Sequence, residues 1–260
     1  MITSIKNEKI QWLKELKNKV KFRKEKALFL VEGEKMIQEI PIEQIHSLYF
    51  AESYKGKILA QLFPEEDIPF TIEQLSDRVF SQLSDVESPQ GIFALVRMQH
   101  AVWQDLLIEE GRRLIVFLEK IQDPGNLGTI FRTAEAAGVS AIFLSEDCVD
   151  PYNPKVVRST MGSLLRVPFC RIEDFSAVLC ACKNEGYDIY AADLQAKIDF
   201  RQERYKERTA FIFGNESKGL SEESKELATK TVKIPMAGKL DSLNVSVAAA
   251  LCMYQVYLQS

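Results

Sequence analysis

The 260-residue chain is poor in metal-binding and disulfide-forming residues, and each scarcity removes a class of function. It has two histidines, His46 and His100, far apart in sequence. Cys180 and Cys182 form a C-x-C pair, but no second pair follows, whereas zinc takes four Cys, His or carboxylate ligands. We therefore expect no metal. Five cysteines, an odd number without framework spacing, suit free thiols on buried helical positions in a reducing compartment. The opening MITSIKNEKI has no apolar signal core. The longest helix-like apolar stretch, Leu243–Leu258, is interrupted by Asn244, Ser246 and Gln255 and falls short of the roughly 18 residues that span a bilayer. A soluble, cytoplasmic protein with no membrane partner is expected. No G-x-G-x-x-G follows a strand, which argues against a Rossmann dinucleotide site. Internal repeats and low-complexity tracts are also missing.

What is present reads as a globular protein, with 46% apolar and 27% charged residues and length enough for two domains. The net charge of −4 disfavours a nucleic-acid partner until its distribution is considered. Residues 1–26 carry nine Lys or Arg against three Glu, so the remaining chain is acidic. Such a basic segment could meet phosphates, with Lys17, Lys19, Lys21 and Arg23 as candidate contacts. Ile10, Leu13, Leu16 and Val20 recur at helical spacing, so the lysines could equally form a solvated helix face.

Beyond this basic segment, Leu28–Val31, Ser47–Ala51 and Gln90–Val96 read as strands of a small α/β domain over 27–97. Residues 98–111, with the acidic pair Glu109-Glu110, read as a linker. From 112 to 260, strands at Leu114–Leu118, Ala141–Leu144, Asp188–Ala192, Ala210–Phe213 and Val232–Met236 alternate with helices such as Ile130–Ala137, Glu173–Asn184 and Ser221–Ala228. That alternation predicts an α/β fold with a mostly parallel sheet and helices on both faces. Ligands in such sheets collect beyond the carboxyl ends of strands.

Three polar, Gly-containing loops follow three of those strands. Pro124-Gly125 could be an ordinary turn, Asn126 or Ser242 a helix cap, and Gly214 and Gly219 positions of positive φ. In order and spacing, however, the loops form a set: Asn126-Leu-Gly with Arg132-Thr-Ala, Gly214-Asn-Glu216 with Gly219, and Ile234-Pro-Met with Gly238 and Ser242-Leu-Asn244-Val-Ser246. This set resembles the three motifs of the SpoU branch of the SPOUT RNA methyltransferases, and Arg158-Ser-Thr-Met-Gly162 looks like the family's helix between the first two. The resemblance covers residues 112–258. More weakly, Phe29–Gly33 and Ser88–Gly91 are similar to the substrate-binding domain, related to a small ribosomal protein fold, that many members carry in front.

The resemblance implies a deep trefoil knot, a homodimer, S-adenosylmethionine as cofactor and methylation of a ribose 2′-hydroxyl in RNA, ribosomal RNA being favoured over transfer RNA. A tRNA enzyme, a base-methylating SPOUT enzyme and a catalytically inactive RNA-binding assembly factor are the alternatives. It further implies that Gly214, Asn215, Glu216, Gly219, Ile234, Met236, Leu243 and Asn244 hold the cofactor, largely through backbone groups. Arg132, Asn126, Glu216, Ser242 and Asn244 would form the catalytic set. A guanidinium rarely deprotonates, so Arg132 is expected to clamp a phosphate rather than act as a base. A Ser242 nucleophile has no histidine nearby to support it.

Overall fold

The computed structural model describes residues 1–54, 68–86, 88–108, 111 and 113–259. Its chain divides into two packed units, Met1–Gln99 with Asp150–Leu165, and His100–Val149 with Arg166–Ser260.

In the first unit, Asn7 caps helix α1 (Glu8–Asn18) by accepting from the Lys9 N–H at 2.9 Å. The helix buries Ile10, Leu13 and Leu16. Val20 does not continue that stripe, because Lys19 is extended (φ −112°, ψ 112°) and Val20 opens a second helix, α2 (Val20–Lys26). There follow β1 (Leu28–Glu32), α3 (Glu34–Gln38), β2 (Ile45–Ala51), β3 (Thr71–Leu75), α4 (Asp77–Leu83) and β4 (Ile92–Arg97). The sheet order is β1-β4-β2-β3, with β4 antiparallel to β1 and β2, and β3 parallel to β2. Residues of α1 and α4 share one apolar core with this sheet, among them Leu13, Phe80, Tyr49 and Phe93. The basic segment 1–26 is thus a packed pair of helices.

The second unit begins where a linker was expected: α5 (Trp103–Ile108) buries Leu106 and Leu107 against the second core. Glu109 and Glu110 of that expected linker, and the domain-edge residues Arg112 and Ser260, lie outside the described residues. The chain continues through β5 (Arg113–Leu118), α6 (Pro124–Ala136) and β6 (Ala141–Ser145). It next supplies Asp150–Leu165 to the first unit, with α7 (Pro154–Thr160), and passes through α8 (Ser163–Arg166). Then come β7 (Phe169–Ile172), α9 (Phe175–Asn184), β8 (Asp188–Ala192), β9 (Ile198–Asp199), β10 (Arg208–Phe213), α10 (Glu222–Leu227), β11 (Lys230–Lys233) and α11 (Val245–Tyr257).

The seven strands run in the order β7-β6-β5-β10-β8-β11-β9, and every pairing is parallel. Ile115 and Phe117 of β5 and Ala210 and Ile212 of β10 share a core with Val178, Leu179 and Cys182 of α9. The intervening Val116 and Phe211 are buried as well, so both sheet faces are covered, as an all-parallel sheet requires. On one side of β5 the order runs outward through β6 and β7, and on the other it jumps to β10. This reversal is the switch point at which α/β sheets open a ligand crevice.

Strand boundaries differ from the sequence reading at the third loop. β11 ends at Lys233, so Ile234, Pro235 and Met236 are loop residues, Pro235 having no N–H for a ladder. β3, β7 and β9 are additional strands.

Candidate functional site

Because all seven strands are parallel, the loops after β5, β10 and β11 leave the same edge of the sheet. The first loop ends at Asp123, which caps α6: its Oδ1 accepts from the Asn126 N–H at 2.7 Å. Pro124 takes the first helical position, where a missing N–H costs nothing. Asn126 is therefore inside the first turn rather than the cap, and its side chain is free to reach outward.

That side chain joins the loops. Asn126 Nδ2 donates to Glu216 Oε1 at 3.1 Å, and Asn126 Oδ1 accepts from Asn244 Nδ2 at 2.9 Å. Glu216 also accepts from the backbone N–H groups of Asp123 (3.2 Å) and Gln122 (3.4 Å). Asn244 meanwhile caps α11, its Oδ1 accepting from the Ser246 N–H at 2.9 Å, so Ser242 is not the cap. One chain of bonds, Glu216–Asn126–Asn244, ties together three segments distant in sequence. Such a network fixes geometry more firmly than its separate pairs would.

The second loop closes on itself. Asn215 and Gly219 exchange two backbone bonds of 3.0 and 2.9 Å, and Asn215 Oδ1 accepts from Ser217 and Lys218 N–H groups at 3.0 Å. Asn215 Nδ2 donates to the Lys120 carbonyl at 2.8 Å, a further tie to the first loop. A Cβ on Gly214 would lie 2.4 Å from the carbonyl carbon and oxygen of Gly219. Gly219 itself takes φ +70° in open space. The two glycines thus answer different demands, close backbone approach at 214 and left-handed backbone at 219.

A cleft of about 330 Å³ opens beside these loops. Gly214, Asn215, Glu216 and Gly219 line it from the second loop, and Ile234, Met236, Ser242 and Leu243 from the third. Asn126, Arg132 and Asn244 are outside the lining. Arg132 is exposed on α6, on the side that also carries Thr129 and Ala136, and among the described residues it makes no hydrogen bond or ion pair. Its guanidinium is unpaired and available to an anion.

The cleft has a third wall that no motif announced. Asp193, Leu194 and Gln195 follow the carboxyl end of β8, and Lys225 faces them from α10. The strand-end rule was the signal that could have found them. The Lys225 ammonium is held above the usual lysine range, chiefly by its bond to Glu222 and, against some desolvation, by Asp193.

The basic candidates separate by exposure. Lys19 and Lys21 face solvent, Lys19 pairing with Glu15 at 2.5 Å. The Lys17 side chain is largely covered and pairs with Asp85 at 2.6 Å. Arg23 does not belong with them. It is 2% exposed, bonds Asp150 at 2.5 and 2.9 Å, and donates to the carbonyls of Leu16 and Lys17. Its charge is spent inside the first unit, where removing either partner of the pair would cost about 3–5 kcal/mol. Of the C-x-C pair, Cys182 is buried, which pushes its thiol upward, while Cys180 is exposed rather than buried as expected. Among the described residues no group of three or more His, Cys, Asp or Glu is placed to hold a metal ion, and no helix is long and apolar enough to cross a membrane.

Residues 113–254 match the model of the SpoU rRNA Methylase family. The chain belongs to that family. The segment before the SpoU region, residues 7–94, matches an MRM3-like substrate binding domain. Among curated SpoU relatives, an uncharacterised tRNA/rRNA methyltransferase of Synechocystis is 34% identical over 99% of this chain and 93% of its own length. The 23S rRNA (guanosine(2553)-2′-O)-methyltransferase RlmP of Bacillus subtilis is 32% identical over 98% of both chains. Among solved structures, the AdoMet-bound rRNA methyltransferase of Sinorhizobium meliloti superposes with a TM-score of 0.85 at 29% identity, covering 98% of this chain and 96% of that one. The SpoU resemblance read from the three loops and the parallel α/β architecture read from the alternation of strands and helices are therefore correct.

Proposed function

We propose that this chain transfers the methyl group of S-adenosylmethionine to a ribose 2′-hydroxyl of ribosomal RNA. The observation that carries the reading is the Glu216–Asn126–Asn244 bond chain, which gathers the three SpoU loops at one strand edge beside a cleft. The cleft fits the cofactor's chemistry: apolar side chains of Leu220, Ile234 and Leu243 suit a base and a methyl, and backbone groups of the second loop suit its polar edges.

When bound, the sulfonium supplies an electrophilic methyl group. The protein's task is then to hold the attacking oxygen in line, and positioning alone can contribute roughly 7–11 kcal/mol. Gly214, Asn215, Glu216, Gly219, Ile234, Met236 and Leu243 hold the cofactor side. Ser242, Asn126 and Asn244 orient the ribose, Asn244 reaching the cofactor from the rim, and Glu216 keeps the loops in register. A guanidinium rarely deprotonates, so Arg132 pairs with the target phosphate and stabilises the alkoxide that develops as the hydroxyl proton departs to water.

Residues 112–260 form the catalytic part and residues 27–97, with the basic 1–26, the RNA-binding part, working in the cytoplasm. Replacing Lys19 and Lys21 with Gln is expected to make the salt dependence of RNA binding shallower by about 1–2 in log–log slope. An unchanged slope would return these lysines to the role of a solvated face. We infer that the chain also threads the trefoil knot implied by the resemblance; its return through the third loop to α11, which packs along α6, supports this. Val247, Leu251 and Tyr254 repeat along one exposed side of α11 and Leu258 follows at its end, an apolar stripe that supports a homodimer. Leu251→Lys is expected to convert the dimer to monomer in light scattering, and an undiminished dimer would contradict this interface.

The substrate is tested by mapping 2′-O-methyl positions in ribosomal RNA from cells with and without the gene. One position should lose its methyl group. An unaltered ribosomal map with a lost tRNA methyl would reassign the substrate.

A further inference from the structure

The wall of the cleft contributed by β8 has a carboxylate that the bonds joining the loops do not use. Glu216, the other acid in the lining, is committed to Gln122, Asp123 and Asn126. Asp193 is instead fixed by its own turn: its N–H donates to the Val232 carbonyl at 2.9 Å, and its Oδ1 accepts from the Gln195 N–H at 3.1 Å. Among the described residues its Oδ2 meets only Lys225, at 3.3 Å, and the Asp193 side chain is 18% exposed. Lys225 has a second partner in Glu222, at 2.9 Å, so it is held in place beside Asp193 from two sides.

A carboxylate has about four acceptor sites, and two of those on Asp193 remain for a ligand. Two adjacent hydroxyl donors match them. In dinucleotide-binding α/β sheets an acid plays this part toward a ribose hydroxyl. We propose that Asp193 binds the ribose of the adenosyl group, accepting from its vicinal 2′- and 3′-hydroxyls, with Lys225 as the counter-ion that orients the carboxylate. The RNA substrate cannot supply this pair within a strand, because each internal 3′-oxygen is esterified to phosphate. The proposal rests on the reading of the cleft as the S-adenosylmethionine site.

The test uses full-length protein and isothermal titration with S-adenosylhomocysteine and with its 2′-deoxy analogue. Wild type is expected to prefer the ribose form by about tenfold or more, since a site built around a hydroxyl rejects a ligand that lacks it. In Asp193→Ala that preference should collapse to less than about twofold, with affinity for S-adenosylhomocysteine falling about tenfold. Asp193→Asn retains an acceptor for the Gln195 N–H, which protects the turn, and should lose most of the preference while keeping the wild-type melting temperature. Full discrimination retained in both variants would overturn the assignment of Asp193 while leaving the cofactor site intact. Failure of folded wild type to bind S-adenosylhomocysteine would overturn both.

Discussion

Arg132→Ala is expected to lower turnover about 10²- to 10³-fold while leaving the dissociation constant for S-adenosylmethionine within about threefold. The side chain is exposed, has no protein partner among the described residues, and lies outside the cleft lining, so its removal disturbs no packing and no cofactor contact. What it removes is a positive charge that matters when the 2′-oxygen becomes anionic. An interaction made only in the transition state lowers the rate and spares ground-state binding. Single-turnover methylation with titrated cofactor separates the two quantities. Equal loss of both would mean that Arg132 helps build the cofactor pocket. Arg132→Lys should recover little, because an ammonium lacks the planar pair of donors that grips a phosphate.

Gly214→Ala is expected to have the largest effect on cofactor binding, a loss of about 10- to 100-fold, with turnover falling alongside. A methyl group placed 2.4 Å from the Gly219 carbonyl cannot be accommodated by a side chain moving aside, because its neighbour is backbone. The loop must open, breaking the paired Asn215–Gly219 bonds and displacing Glu216 from its donors on Gln122, Asp123 and Asn126. Forcing extra volume into a closed site costs about 1–3 kcal/mol, which corresponds to that range of affinity if the strain is relieved by losing the bound geometry. Gly219→Ala is the comparison: its Cβ would meet nothing, and the cost is about 1–2 kcal/mol of left-handed backbone. Calorimetry on the two variants should rank Gly214→Ala well below Gly219→Ala. The reverse order would show that the loop opens readily and that the close approach at 214 is incidental.

The parts of this molecule legible in the sequence are those whose pattern is local. Continuous apolar runs such as Leu114–Leu118 and Thr209–Phe213 mark strands buried on both faces, and the polar loops behind β5 and β10 mark the crevice. Weak or short patterns stayed hidden. Thr71–Leu75 has only one buried side chain, and β9 is two residues long, so neither offers periodicity to read. Spacing alone placed Val20 with α1, but the break at Lys19 depends on backbone angles that no apolar pattern encodes.

The same division holds at the site. The second loop's glycines were recognisable, but the reason for Gly214 was not, because its neighbour five residues later becomes a neighbour in space only when the loop closes. Arg23 looked like its basic neighbours in sequence, and only its distant partner Asp150 reveals that it is interior. Asp193 belongs to no motif, and its place in the cleft wall follows from sheet order, which brings β8 beside both β10 and β11.

The most direct measurement is the fate of a labelled methyl group. The protein is incubated with methyl-labelled S-adenosylmethionine and ribosomal RNA, and the RNA is digested to nucleosides and separated. The expected result is label in a single 2′-O-methylnucleoside, with Arg132→Ala incorporating it about 10²- to 10³-fold more slowly. Label on a base, or none from protein that is folded and supplied with precursor as well as mature RNA, would contradict ribose methylation beside the joined loops.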